Sequence, residues 1–524
     1  MLDVSQEEIT DGPIGRVLLL LAAPLVAQNL VYVANALIDT FWLGRVSEEA
    51  VAAVGLSLPI QSLLGATVVV AAVGTQILVA QRVGADDESG ARRLAVNGGL
   101  VALVVTVAVA VPVVVFAEEL VATLGADPAL AATTATYLAI VIAVLPVGAV
   151  GDTVENCFTA YGDTRAVLHV SVASVLVNLV AAPVLIFGVG PVPALGVAGA
   201  ALGTALAGVV GLLHVLAYAG GIYRDTFRLT REAFVFDPAD IREVVSVGLP
   251  LGGQRGVSEL VRVLVVGLVA IAGGAAGVAA YTVGARVATL AIVPALGMQQ
   301  AAQSMIGQNL GADEPDRARR TTTVGTGIVV AAFLALGAVQ FFFAGAITDL
   351  FAPDLSATGR DLSVLYLQLL AVTYWGLGGT YTLLAGFNGA SRTRTSFVAD
   401  AIKYWGIRFP IAVAAVPTTA TFGAFGVAIT PGLGWGVEAV FWAVAISNAV
   451  GFLGLGAYFM YATKRGMFEA AAEDASAGES DGSAGESDRS VEEDDRSVEE
   501  DDESSGEGGG SGETDGASTA ADDD

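Results

Sequence analysis

Charge is scarce in this chain. Of 524 residues, 15% are Asp, Glu, Lys or Arg, against 54% hydrophobic, with a mean hydropathy of +0.68. A soluble domain carries about 25% charged residues. Lysine is nearly absent: of 25 basic residues only Lys403 and Lys464 are lysine. There is one cysteine, Cys157, which excludes an internal disulfide. There is no GxxxxGK[ST] loop and so no ATP-driven engine, no HExxH and no GxSxG elbow. The two histidines, His169 and His214, have no Cys, Asp or Glu at ligand spacing, so no metal site and no cofactor are expected. The start lacks a signal peptide's basic region, because Asp3, Glu7, Glu8 and Asp11 precede Arg16.

What charge there is sits mostly at the end. Residues 469–524 hold 22 acidic and 2 basic residues, so the first 468 residues carry only −7 of the total −27. This end is rich in Ser and Gly and repeats RSVEEDD at 489–495 and 496–502. Such a segment buries too little apolar surface to fold, so 464–524 is expected to be a disordered tail. Arg in place of Lys, together with an acidic tail, is the composition of a protein adapted to high salt, which screens carboxylates. A halophilic archaeon is the expected source.

The body reads as membrane helices. A span needs about 20 mostly apolar residues. Twelve such runs occur, near 14–43, 50–80, 94–117, 130–160, 166–188, 196–222, 243–272, 276–308, 322–348, 360–387, 395–417 and 434–462. They are too long and too uniformly apolar for barrel strands. The expected fold is an all-α polytopic membrane protein. Its parts are a cytoplasmic N-terminus (1–13), a six-helix lobe (14–222), a cytoplasmic linker (223–242), a second six-helix lobe (243–463) and the tail. Sixteen Arg and Lys fall on one side and two, Arg45 and Arg360, on the other. The richer side is the cytoplasmic one, so both termini are expected there.

The body also repeats itself. Gln81-Arg-Val-Gly-Ala-Asp86 is echoed by Gln308-Asn-Leu-Gly-Ala-Asp313, and a basic pair follows each, Arg92-Arg93 and Arg319-Arg320. Pro24 matches Pro250, and Gly162-Asp-Thr-Arg165 matches Ser391-Arg-Thr-Arg394. Six spans per half make the repeats parallel, which suits two lobes rocking about a central site.

One helix face stands out. Gln28, Tyr32, Asn35 and Asp39 are spaced 4, 3 and 4 apart, within an arc of about 60°. A carboxylate facing lipid there costs about 2.5–3.5 kcal/mol or more, so Asp39 is expected to face the bundle interior. Ser171, Ser174 and Asn178 share a face of the fifth span. In the seventh, Glu259 lies four residues from Arg255 and three from Arg262, either a compensated triad or a second cation site. Glu155 and Arg286 fall near span ends, and Asp400 and Lys403 are spaced to pair.

Taken together, the repeated motifs resemble the MATE (multidrug and toxic compound extrusion) transporters over roughly 13–463. The most specific stretch is AAYTVGARVATLAIVPALGMQQAAQSMIGQNLGADEPDRARR at 279–320, supported by AAPLVAQNL at 22–30, YGDTR at 161–165, GVAGAALGT at 196–204 and FNGASRTR at 387–394. The resemblance implies secondary active efflux of drugs, organic cations or metabolites by antiport with H⁺ or Na⁺. No enzymatic activity is expected. It implies a cation-coupling role for Asp39 and Asn178, a bend at Pro24, and a cavity that includes Tyr137, Ser174 and Thr204 beside Gln28, Tyr32 and Asn35. Many family members carry an acid four residues after the Asn178 position, where this chain has Ala182. The NorM-like branch places a glutamate near Glu259 and an aspartate near Leu377, where no acid stands. A lipid-linked-sugar flippase of the same superfamily is the alternative. The expected partners are a small organic, cationic substrate and the lipid bilayer, with no nucleic acid; the chain is expected to sit in the cell membrane as a monomer.

Overall fold

The computed structural model describes residues 6–123, 128–222, 226–419, 422–424, 427–429 and 432–476. Each apolar run becomes a helix because only a helix satisfies its own backbone in lipid. The first six are α1 (Ile14–Leu43), α2 (Glu48–Gly84), α3 (Glu88–Val115), α4 (Pro128–Ala160), α5 (Thr164–Phe187) and α6 (Val197–Ala219). The continuous segment Pro238–Gly311 is two helices, α7 (238–273) and α8 (275–311), because Gly274 at φ 54° breaks the helical path between them. Then come α9 (Pro315–Phe351), α10 (Ala357–Gly389), α11 (393–414) and α12 (Val437–Lys464). Ten of the helical segments are long and apolar enough to cross a membrane, one of them being the α7–α8 pair. The more polar α11 completes twelve. It runs as Thr393–Ala401, a π-helical stretch Ile402–Arg408 and Phe409–Ala414.

Side-chain caps set several starts. Ser47 accepts from Ala50 N at 3.1 Å, Asp87 from Gly90 N at 2.8 Å and Asp163 from Ala166 N at 3.1 Å. The repeat also reappears as backbone geometry. Asp86, Gly162, Asp313 and Ser391 close four equivalent corners, all with positive φ, at 60°, 85°, 56° and 55°.

These corners bring the two halves together. Gln81 Nε2 donates to Gly389 O at 2.9 Å and to Ser391 Oγ at 3.1 Å, while Gln308 Nε2 donates to Ala160 O at 2.5 Å. A Cβ on Gly84 would stand 2.0 Å from Gln308 O, and one on Gly311 would stand 1.9 Å from Gln81 O. Each half thus reaches the other through the same glutamine and the same glycine. Farther along, α7 lies on α2, where a Cβ on Gly248 would be 1.8 Å from Val70 O. The helices α1 and α8 meet at Val26 and Gly297.

Three features depart from the sequence reading or go beyond it. Residues 467–476, placed by sequence in the disordered tail, are helical. Met467, Phe468, Ala471 and Ala472 bury one face of this helix, and the Phe468 ring meets Phe459 edge-on at 6.0 Å. The composition of the whole tail hid this short amphipathic start; residues 477–524 lie outside the described residues. Secondly, part of the N-terminus is a helix, Gln6–Asp11, with Ile9 fully buried. Arg317 donates to Ile9 O at 3.1 Å and to Gly12 O, and Gln6 Nε2 donates to Val83 O at 2.7 Å. We expect Arg317→Ala to cost about 1–3 kcal/mol and to speed proteolytic cleavage before Pro13, measured against the unaltered chain. Thirdly, a two-stranded antiparallel hairpin, Phe422–Ala424 with Val427–Ile429, interrupts the otherwise all-helical chain between α11 and α12.

Candidate functional site

The polar stripe of α1 meets polar faces of α4 and α5. At its outer tier Asn178 Nδ2 donates to Asp39 Oδ1 at 2.7 Å and to Asn35 Oδ1 at 3.0 Å. Asn35 Nδ2 reaches Asp39 Oδ2 at 3.3 Å. One tier away, Gln28 Nε2 donates to Ser171 Oγ at 3.0 Å and to Glu155 Oε1. Ser171 Oγ lies 3.2 Å from Glu155 Oε1 and 3.1 Å from the Tyr32 hydroxyl. The spacing of α1 explains both tiers: residues 28, 32, 35 and 39 fall on one stripe, and α5 presents 171 and 178 two turns apart.

Asp152 adds a third carboxylate, one turn before Glu155 on α4. Among the described residues no Arg or Lys forms an ion pair with Asp39, Asp152 or Glu155. Asp39 and Glu155 accept from neutral amides and a hydroxyl. Tyr32 is 44% exposed and Asp152 is also exposed, yet protein atoms crowd around both. Tyr32 faces the α4–α5 network while keeping open surface.

Other expected cavity residues fall differently. Tyr137 is buried within the field of Asp39 and packs with Leu43 and Ala182. Pro24 stands inside α1, where it removes a helix hydrogen bond and permits a bend. Ser174 turns toward α6, where a Cβ on Gly211 would touch its Oγ at 2.5 Å. The Thr204 hydroxyl donates to Ala200 O of its own helix at 3.3 Å. Neither Ser174 nor Thr204 joins the carboxylate network.

Of the two readings of Glu259, the geometry is that of the compensated triad: Oε1 receives Arg255 Nη2 at 2.9 Å and Arg262 Nη1 at 3.2 Å. Asp400 does not pair with Lys403; it accepts from Gln254 Nε2 at 2.7 Å. Glu155 does lie near the end of α4 (Pro128–Ala160), and it is 7% exposed inside the bundle. Ala182 is buried, and its backbone lies close against Gly203 of α6, where a Cβ would stand 2.9 Å from the Ala182 Cα. Glu155, from another helix, stands among the polar side chains of this face. The signal that could have found it is the pair Asp152 and Glu155, three apart on one face of an apolar helix.

Twelve helices in two alike halves, with carboxylates on facing helices that have no basic partner among the described residues, are the form of a multi-pass membrane transporter. Comparison with known proteins agrees. The MatE family model matches residues 24–184 and 256–414. A probable multidrug resistance protein NorM of Pseudomonas aeruginosa is 30% identical over 478 residues, covering 88% of this chain and 92% of that protein. An FAD transporter of Shewanella oneidensis is 24% identical, covering 77% and 88%. Among solved structures, an outward-facing MATE multidrug resistance transporter superposes with a TM-score of 0.79 at 22% identity, covering 88% of this chain and 98% of that one. A Pyrococcus furiosus transporter described as having a binding pocket of reverse polarity superposes at 0.78 and 22%, with the same coverage. At that identity the structures share the fold. The chain belongs to the MATE family of transporters.

Proposed function

We propose that this chain exports small organic molecules across the cell membrane by antiport with H⁺ or Na⁺, both its termini lying in the cytoplasm. The carrying observation is the set of unpaired carboxylates. A carboxylate held away from bulk water without a basic partner must bind a proton or a metal cation. Asp39, between Asn35 and Asn178, is the coupling site in this reading, and Asp152 with Glu155 form a second station on the same cleft. The halves are joined at the corners that carry the arginine-rich motifs, so the cleft is shut on the cytoplasmic side. Relatives named for multidrug resistance and for FAD transport support a small organic cargo. They do not favour a lipid-linked-sugar flippase.

Purified chain in liposomes, with pH and Na⁺ gradients imposed separately, tests this. One gradient should drive uptake of a fluorescent solute; uptake unchanged with both gradients collapsed would overturn antiport. Glu155→Gln keeps the acceptor oxygen for Gln28 and Ser171, so it should fold. It should lower gradient-driven uptake by roughly tenfold, about 1.4 kcal/mol.

A further inference from the structure

The second half holds a basic cluster at bilayer depth. Within 250–273 of α7 and 398–414 of α11 stand Arg255, Arg262, Lys403 and Arg408, with Glu259 and Asp400 the acids of those stretches. Glu259 is used by Arg255 and Arg262, and Asp400 by Gln254. Lys403 and Arg408 are 3% and 8% exposed, and among the described residues neither forms an ion pair. Arg408 donates to neutral groups alone, Ser447 Oγ at 2.9 Å and Asn448 Oδ1 at 3.0 Å. A buried cation without a counter-ion is costly and marks function in a membrane protein. The π-helical stretch Ile402–Arg408 brings Lys403, Tyr404 and Arg408 inward together, and such stretches recur at functional sites.

Aromatic rings complete the cluster. The Arg408 guanidinium lies 4.5 Å from the Tyr404 ring centre. Tyr281 stacks on Tyr366 at 5.5 Å and 13°, and Tyr366 on Phe441 at 4.4 Å and 22°. Both Arg262 and Arg408 act electrostatically on Tyr281, the least buried ring of the three. The Arg262 side chain keeps 42% of its surface open.

We propose that this cluster is the substrate site and that the substrate is a planar aromatic anion. Its carboxylate, sulfonate or phosphate sits between Arg262 and Arg408, and its ring extends the Tyr281–Tyr366–Phe441 stack. Guanidinium forks suit such groups. A planar cation could stack as well, but it would meet two guanidinium groups with no free carboxylate beside them. The substrate class assigned here rests on the export reading above and replaces the cationic one implied by the family resemblance.

Fluorescence anisotropy of the full chain in detergent tests the assignment without any gradient, using 5-carboxyfluorescein as the anionic probe and ethidium as the cationic one. The unaltered chain should bind carboxyfluorescein more tightly than ethidium. Arg262→Gln should weaken carboxyfluorescein about tenfold or more and leave ethidium unchanged or tighter; Arg262→Lys should restore part of the loss. Tighter ethidium binding by the unaltered chain would overturn the proposal even if no variant folded. So would an Arg262→Gln protein with unchanged carboxyfluorescein affinity. The Asp39→Asn chain should still bind carboxyfluorescein, so a failure of ion coupling and a failure of the anion site give different results.

Discussion

Asp39→Asn should abolish gradient-driven export while leaving the protein folded. Asparagine keeps the shape of aspartate and its Oδ1, the atom that accepts from Asn178 Nδ2 at 2.7 Å. It gives up Oδ2, which Asn35 Nδ2 reaches at 3.3 Å, and with it the ability to carry charge and exchange it for a cation. The side chain is half-buried on the inner stripe of α1, with neutral partners alone. Holding an uncompensated acid at bilayer depth costs about 2.5–3.5 kcal/mol, a cost relieved when a cation binds. Removing that difference should reduce coupled uptake by about 100-fold, since each tenfold is about 1.4 kcal/mol. Initial rates in liposomes measure it, with thermal unfolding as the check on folding. Uptake at the unaltered rate, with unchanged ion dependence, would remove Asp39 from the mechanism.

The second large effect concerns the closed end. Gly84→Ala and Gly311→Ala each add a methyl where a backbone oxygen of the other half stands 2.0 or 1.9 Å away. The obstacle is helix backbone, not a flexible side chain, so it cannot swing aside. The halves must separate at this end, or the local packing must strain by about 1–3 kcal/mol. Both substitutions should shift the population toward a form open at the motif corners and slow export by about tenfold. Spin labels at the exposed positions Ser89 and Asp316 should then show a longer separation than in the unaltered chain. An unchanged distance in both variants would mean that these corners do not form the gate.

Much of the fold was legible because hydropathy and membrane thickness leave few choices. The helix α1 spans Ile14–Leu43, the range read from sequence. The repeated corners recur as matched positive-φ residues. The stripe at Gln28, Tyr32, Asn35 and Asp39 was legible from helical spacing alone. What periodicity cannot supply is the neighbour. Asp39 with Asn178 could be guessed from the family pattern, but Glu155 beside Gln28 required knowing that α4 faces α1 and α5 at that depth. The basic cluster was missed for the same reason. Asp400 and Lys403 are three apart and look like a pair, yet the π-helical turn changes the register, and Asp400 bonds Gln254 of α7 instead. Hydropathy averaged over 464–524 likewise concealed the four buried residues that fold 467–476 onto the body.

The central claim is that the acid of α1 holds the coupling cation. Cation binding to purified protein in the absence of substrate measures this most directly, by ²²Na⁺ binding and by proton release in weak buffer. The unaltered chain should bind one of the two ions saturably, and the Asp39→Asn chain should lose that binding while remaining folded. Equal saturable binding by both proteins would contradict the account.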